Sequence, residues 1–159
     1  MFGGYYTNRR VLVTGHTGFK GAWLSLWLKK LGAKVTGLAL PVPTNPNLHE
    51  IIQPGTFERE IMCDIRDAKA LAAVVKEVQP EIIFHLAAQP LVRLSYREPL
   101  TTFATNVNGT AHLLEAVRLA GINCVTVCVT SDKCYENREW EFSYRENDPM
   151  GGHDIYSMS

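Results

Sequence analysis

Three stretches of this 159-residue chain carry residue types at spacings suited to chemistry. The first is Thr14-Gly15-His16-Thr17-Gly18-Phe19-Lys20-Gly21, set between the apolar run Val11 to Val13 and a helix-forming stretch, Ala22 to Leu31. Glycine at 15 permits a tight turn, glycine at 18 lets a diphosphate approach the backbone, and glycine at 21 allows the helix to pack closely on the strand. Amides at the helix start, aided by the helix dipole, would hold the phosphates. The second stretch is His85-Leu86-Ala87-Ala88-Gln89-Pro90, where two small alanines could let a nucleotide lie against the backbone and Gln89 could donate to a hydroxyl. The third is Thr130-Ser131-Asp132-Lys133-Cys134-Tyr135, which sets a hydroxyl, a carboxylate and an ammonium in succession. Its plainer reading is a polar turn that caps the next element. Downstream, Tyr156-Ser157-Met158-Ser159 reads as the start of a Tyr-x-x-x-Lys pattern, whose lysine would fall one residue after Ser159. Such a lysine lowers the tyrosine's pKa, so that the phenolate can take a hydroxyl proton.

Periodicity gives the elements that must position these stretches. Arg10 to Thr14, Lys34 to Leu40, Glu60 to Met62, Glu81 to Leu86 and Asn123 to Thr130 read as strands. Ala22 to Leu31, Ala68 to Val78 and a long stretch from about Thr101 to Ala120 read as helices, closed by Gly32, by Gln79-Pro80 and by Gly121. Alternating units with strands apolar on both faces predict an α/β fold: a doubly wound parallel sheet of the Rossmann kind in the order 3-2-1-4-5. Ligands of such sheets bind beyond the carboxyl ends of the strands, which is where all three chemical stretches fall. The proline-rich segment Pro41 to Asn47 is predicted to be a loop at the ligand edge, near an adenosine ribose.

Composition narrows the classes. Lys plus Arg equals Asp plus Glu at 16 each, so no excess positive charge drives binding to a nucleic-acid backbone. No run reaches the ~20 apolar residues of a membrane span, and Met1 to Arg10 has no signal-like stretch, so a cytoplasmic protein is expected. Cys63, Cys124, Cys128 and Cys134 show no paired spacing, so no metal site is expected. Cys124 and Cys128 read as small buried hydrophobes. Trp23 and Trp27, with Leu24, Leu28 and Leu31, have helical spacing and read as the core face of the first helix. His85 reads as a satisfied interior imidazole, and His153 stands nearer the expected pocket.

Together, the glycine turn, the loop Pro41 to Asn47, Ala87-Ala88-Gln89-Pro90-Leu91-Val92-Arg93, Thr130 to Tyr135 and Gly151-Gly152-His153-Asp154-Ile155-Tyr156-Ser157 resemble the CDP-glucose 4,6-dehydratases, extended short-chain dehydrogenases of the NAD-dependent epimerase/dehydratase family. The resemblance covers essentially the whole chain and corresponds to the amino-terminal half of such enzymes. It implies that residues 1–159 are an incomplete NAD-binding Rossmann domain, preceding a substrate domain and a sixth or seventh strand. It implies NAD as cofactor, held by Gly15, Thr17, Gly18, Phe19, Lys20, Gly21, Asp64, Ile65, Leu86, Ala87, Ala88 and Thr130. It implies a nucleotide-sugar substrate met by Gln89, Arg93 and Ser131, and a homodimer formed through the long helix.

The chemistry so implied is a redox-neutral dehydration of CDP-glucose to the 4-keto-6-deoxy sugar, in deoxysugar biosynthesis. Tyr156 takes the proton of the carbon 4 hydroxyl, Ser131 binds the carbon 4 oxygen, and Asp132 is the acid toward the carbon 6 oxygen. Lys133 stands where dTDP-glucose relatives place a glutamate base, and can serve as one only if burial or a neighbouring cation lowers its pKa. Physics alone leaves NAD against NADP open: between Gly37 and His49 the sequence has no acidic residue for ribose hydroxyls, only Thr44, Asn45 and Asn47, and Lys20 is the one nearby candidate for a 2'-phosphate. Asp64 reads equally as an adenine contact or as a helix cap. Asn106 resembles a structural asparagine tying its helix to a neighbouring strand backbone. Two rival readings stand beside this one: another sugar-nucleotide dehydratase or epimerase, and a catalytically silent nucleotide-binding module. On either the first or the main reading, the 159 residues alone are expected to bind NAD weakly and not to turn over.

Overall fold

Valine, isoleucine and leucine dominate the short runs that become strands, and in a computed structural model describing residues 2–42 and 44–159 those runs lie side by side in a five-stranded parallel sheet. The strands are β1 (Arg10–Thr14), β2 (Lys34–Ala39), β3 (Arg59–Met62), β4 (Ile82–His85) and β5 (Val125–Cys128). Their order, β3-β2-β1-β4-β5, is the doubly wound order expected from the sequence. Every pairing is parallel, and Val13 of β1 sits level with Gly37 of β2 and Phe84 of β4.

Helices α1 (Phe19–Lys30), α2 (Leu48–Ile52), α3 (Ala68–Val78), α4 (Val92–Arg97), α5 (Pro99–Phe103), α6 (Gly109–Ala120) and α7 (Ile155–Met158) complete the chain. Two apolar layers flank the sheet. On one face Leu12, Leu38 and Ile83 pack under Leu71, Val74 and Val75 of α3 and Leu113 and Ala116 of α6. On the other, Val11, Val13, Val35 and Ile82 pack with Leu28 of α1. The alternation Val11, Leu12, Val13 between the two layers is the strand period of two.

Local chemistry fixes the helix ends. Asp67 accepts from the backbone amides of Lys69 and Ala70 at 3.1 and 3.0 Å and so caps α3, while Gln79 closes it in the left-handed region at φ 47°. The cap therefore belongs to Asp67 and not to Asp64.

Several expectations are corrected. Trp23 and Trp27 do not face the core: they are 52% and 48% exposed, and α1 buries Gly21, Ala22, Ser25 and Leu28 instead. The small residues Gly21, Ala22 and Ser25 let α1 approach the sheet so closely that its bulky residues turn outward. Cys124 is half-buried and Cys128 exposed, because β5 pairs only with β4 and its valines are open: Val125 is 55% exposed. The long helix runs as expected but is not regular throughout. It is α5, a π turn at Ala104–Asn108, and α6. Pro43, inside the predicted proline loop, and Met1 lie outside the described residues.

Candidate functional site

The carboxyl ends of β1, β4 and β5 open into one cavity of about 600 Å³. Gly15, the first residue past β1, turns at φ 74°, and a Cβ there would meet the Ala87 amide nitrogen at 2.7 Å. A side chain on Gly21 would run into the Gly15 carbonyl oxygen. Only glycine at both positions lets the turn, the start of α1 and the segment after β4 nest together. Gly18 stands at the N-cap of α1 with no side-chain cap, so the first-turn amides of Phe19, Lys20 and Gly21 have no partner within the helix. These residues line the cavity at the positive end of the helix dipole, where an anion is favoured.

Gly15, Gly18, Phe19, Lys20 and Gly21 line this cavity from the β1 side, Leu86, Ala87 and Ala88 from the β4 side, and Thr130, Ser131 and Lys133 from the β5 side. Tyr156, from α7, closes it. Three stretches far apart in sequence thus meet around one space.

The remaining candidates lie elsewhere. Thr17 is buried and donates its hydroxyl to the Leu40 carbonyl at 3.0 Å, which ties the turn to the end of β2. Asp64 forms an ion pair with Arg66 at 2.6 Å, and that guanidinium's hydrogen bonds hold its carboxyl below the usual range. Ile65 is buried against Gly109 of α6. Gln89 uses its side-chain amide within the chain, donating to the Leu91 carbonyl at 3.2 Å and to the Thr102 hydroxyl at 2.9 Å. Arg93 is exposed on α4. Asp132 is exposed and accepts from the Ser131 hydroxyl at 3.3 Å, while the Lys133 amide donates to Ser131 Oγ at 3.2 Å. Ser131 therefore caps the short turn Asp132–Cys134 and lines the cavity at once. His153 lines a separate cleft of about 310 Å³ with Tyr96 and Asp154.

His85 is the satisfied interior imidazole expected of it, and its partners form a relay at the cavity wall. Thr14 Oγ1 accepts from the Leu86 and Ala87 amides at 3.2 Å each and lies 2.6 Å from His85 Nδ1. His85 Nε2 lies 3.1 Å from the Thr110 hydroxyl, which donates to the Asn106 carbonyl at 2.6 Å. These partners assign the tautomer: Thr14 donates to Nδ1, and Nε2–H donates to Thr110. Burial pushes the His85 pKa down to about 4, so the ring is neutral. Asn106 accepts from the Gln89 amide at 2.8 Å and donates to its carbonyl at 3.3 Å and to Ser159 Oγ at 2.9 Å. The tie is to the backbone of Gln89, in the loop past β4, and not to a strand as expected. Asn106 and Thr110 also line the cavity. Their separation of one helical turn was the available signal for Thr110.

Similarity to known proteins agrees with this geometry. The chain is 56% identical over 155 residues to a CDP-glucose 4,6-dehydratase of Salmonella typhimurium, a match covering 98% of this chain and 43% of that protein. It is 43% identical over 117 residues to a UDP-glucose 4-epimerase of Mycolicibacterium smegmatis, covering 73% and 37%. Among solved structures, a UDP-glucose-4-epimerase from Stenotrophomonas maltophila with bound NAD and formylated UDP-arabinopyranose superposes with a TM-score of 0.82 at 27% identity, covering 94% of this chain and 45% of that one. The Thermus thermophilus UDP-glucose 4-epimerase in complex with NAD gives 0.80 at 28%. The chain spans less than half the length of these relatives. The sequence profile of the GDP-mannose 4,6 dehydratase family matches residues 12–159, and the chain belongs to that family.

Proposed function

We propose that residues 1–159 form the dinucleotide-binding part of an NAD-dependent sugar-nucleotide 4,6-dehydratase that converts CDP-glucose to its 4-keto-6-deoxy product. One observation carries the reading: the glycine turn, Ala87-Ala88, Ser131, Lys133 and Tyr156 line a single cavity at the strand ends. The residues fit NAD, because the cradle at Gly15 and Gly21 has no room for a Cβ and the first-turn amides of α1 await an anion. The nicotinamide, when bound, supplies the hydride sink that oxidises carbon 4 and later refills carbon 6. Tyr156 takes the carbon 4 hydroxyl proton, and Ser131, freed from its 3.3 Å bond to Asp132, steadies the carbon 4 oxygen. Asp132 would be the acid toward the carbon 6 oxygen; Lys133 lines the cavity but is exposed, so the burial a lysine base requires is not met within these residues, and the carbon 5 base is left unassigned.

The same reading carries the finer expectations. The cytoplasm is the compartment that supplies NAD and nucleotide sugars, and no described helix is long and apolar enough to cross a membrane. Exposed Leu100 on α5 with Leu114 and Leu119 on α6 supports a homodimer through these helices. The test is calorimetric titration with NAD. The 159-residue chain is expected to bind one NAD weakly, and Ala88→Phe, which fills the cavity from its wall, is expected to abolish binding. Saturation unchanged in Ala88→Phe, or none in the parent, refutes the site. No 4-keto-6-deoxy product is expected from the 159 residues with CDP-glucose, since Tyr156 has no lysine beside it within them.

A further inference from the structure

Away from the cavity, three side chains from three distant elements converge beneath α2. His16 comes just after β1 and lies fully buried on the sheet face that Val35 also faces, its ring over Gly37, where a Cβ would come within 2.5 Å of the ring carbons. His49 comes from α2 and is 6% exposed, and Glu60 comes from β3. His16 Nε2 lies 3.0 Å from Glu60 Oε1, and His49 Nε2 contacts that same oxygen. Gln53 Nε2 donates to the other oxygen, Oε2, at 2.9 Å. The Phe57 ring packs against both imidazoles, with centroids 5.0 and 5.7 Å away. The Nδ1 atoms of His16 and His49 are buried without any partner. One carboxylate oxygen thus serves two buried rings, which leaves the cluster under-satisfied as a hydrogen-bond set.

We propose that His16, His49 and Glu60 bind one divalent transition-metal cation of the zinc type. Their three donor atoms lie within 4.8 Å of one another. In a tetrahedral site with bonds of about 2.0–2.1 Å, donors stand about 3.3 Å apart, so small ring and carboxylate shifts admit the ion. Two imidazoles and one carboxylate suit Zn²⁺, Co²⁺ or Ni²⁺ and not the oxygen-seeking Mg²⁺ or Ca²⁺. Each neutral imidazole ligates through Nε2 by carrying its single proton on Nδ1 instead, and burial already favours the neutral ring of His16. Gln53 orients the carboxylate; the Leu38 carbonyl lies beside the His16 ring, while His49 finds no acceptor for Nδ1–H. A missing outer partner weakens a site by about 10–100-fold, so micromolar affinity is expected and not nanomolar. None of the three residues lines the dinucleotide cavity, so the ion is structural: it pins α2 and β3 to the glycine turn. The cysteine spacings that argued against a metal did not bear on ligands assembled by the fold.

Cobalt titration of the chelator-treated 159-residue chain tests this. Expected are visible d–d bands saturating at one Co²⁺ per chain with a dissociation constant near ~10 µM, and a rise in Tm of about 5 °C with excess Zn²⁺. His49→Gln and Glu60→Gln should each weaken binding at least ~10-fold. In imidazole NMR of the unsubstituted chain, His16 and His49 must be the rings perturbed by Zn²⁺. The proposal is overturned by no stoichiometric binding at ~100 µM Co²⁺, by near-ultraviolet thiolate-to-cobalt bands, by undiminished affinity in a folded His49→Gln or Glu60→Gln, or by shifts confined to His85, His112 and His153.

Discussion

Replacing His85 by glutamine isolates the free energy stored in one buried neutral imidazole. Folding lowers its pKa from 6.5 to about 4 through burial. Between those values the unfolded chain binds a proton that the folded chain refuses, so stability falls as pH drops through this window and is level above about 6.5. The gap of roughly 2.5 pH units, at about 1.36 kcal/mol each, is about 3.4 kcal/mol in full, of which about 2.5 kcal/mol is lost by pH 4.5.

Carboxylates also titrate there, so the readout is a difference: urea unfolding of the parent chain and of His85→Gln at pH 7.5 and 4.5. Glutamine can accept from Thr14 and donate to Thr110, keeping both ends of the relay, so at pH 7.5 the variant is expected to lose about 1–2 kcal/mol. At pH 4.5 the parent's advantage should have shrunk by about 2.5 kcal/mol, which reverses the ranking. An advantage unchanged between the two pH values would show that the ring titrates normally and would refute the burial-lowered pKa.

Single contacts give the other expected outcomes. Asn106→Ala leaves the Gln89 amide unpaired beside the cavity and should cost about 2 kcal/mol, read as a fall in Tm of about 4–8 °C. Asp67→Ala should cost about 1 kcal/mol by uncapping α3, whereas Asp64→Ala, which breaks an exposed pair, should cost less than about 0.5 kcal/mol in denaturant melts. Leu28→Ala should cost about 2–5 kcal/mol, and Trp27→Gln, on the outer face of the same helix, well under half of that.

The parallel sheet was legible because each strand is an apolar run bounded by turn residues, and alternation of helices with such runs dictates a doubly wound order. The boundaries of β1 and α3 agree with the sequence reading residue for residue. What escaped depended on distances between elements. Helical spacing marked Trp23 and Trp27 as a core face, but periodicity does not say which of two apolar faces meets the sheet, and the small residues of α1 decided it. The strand pattern of Cys124 to Cys128 could not reveal that β5 has one pairing partner. At the site, the glycines and Tyr156 were legible from motif spacing. The Thr14–His85–Thr110 relay was not, because its members come from β1, β4 and α6 and meet only through the crossover. Short helices such as α2 and α4 carry too few turns to show a period.

The π turn at Ala104–Asn108 has a consequence for insertions and deletions. A turn of this kind holds one residue more than regular helix, so the helical segments on its two sides, α5 and α6, are out of phase by about 100°. Leu113 and Ala116 reach the core from the far side of that offset, whereas Thr102 is buried on the near side. Removing one residue from the turn would let the backbone relax into ordinary helix yet swing one of those sets outward, so the offset works as a counted spacer whose length is as constrained as any side chain it carries.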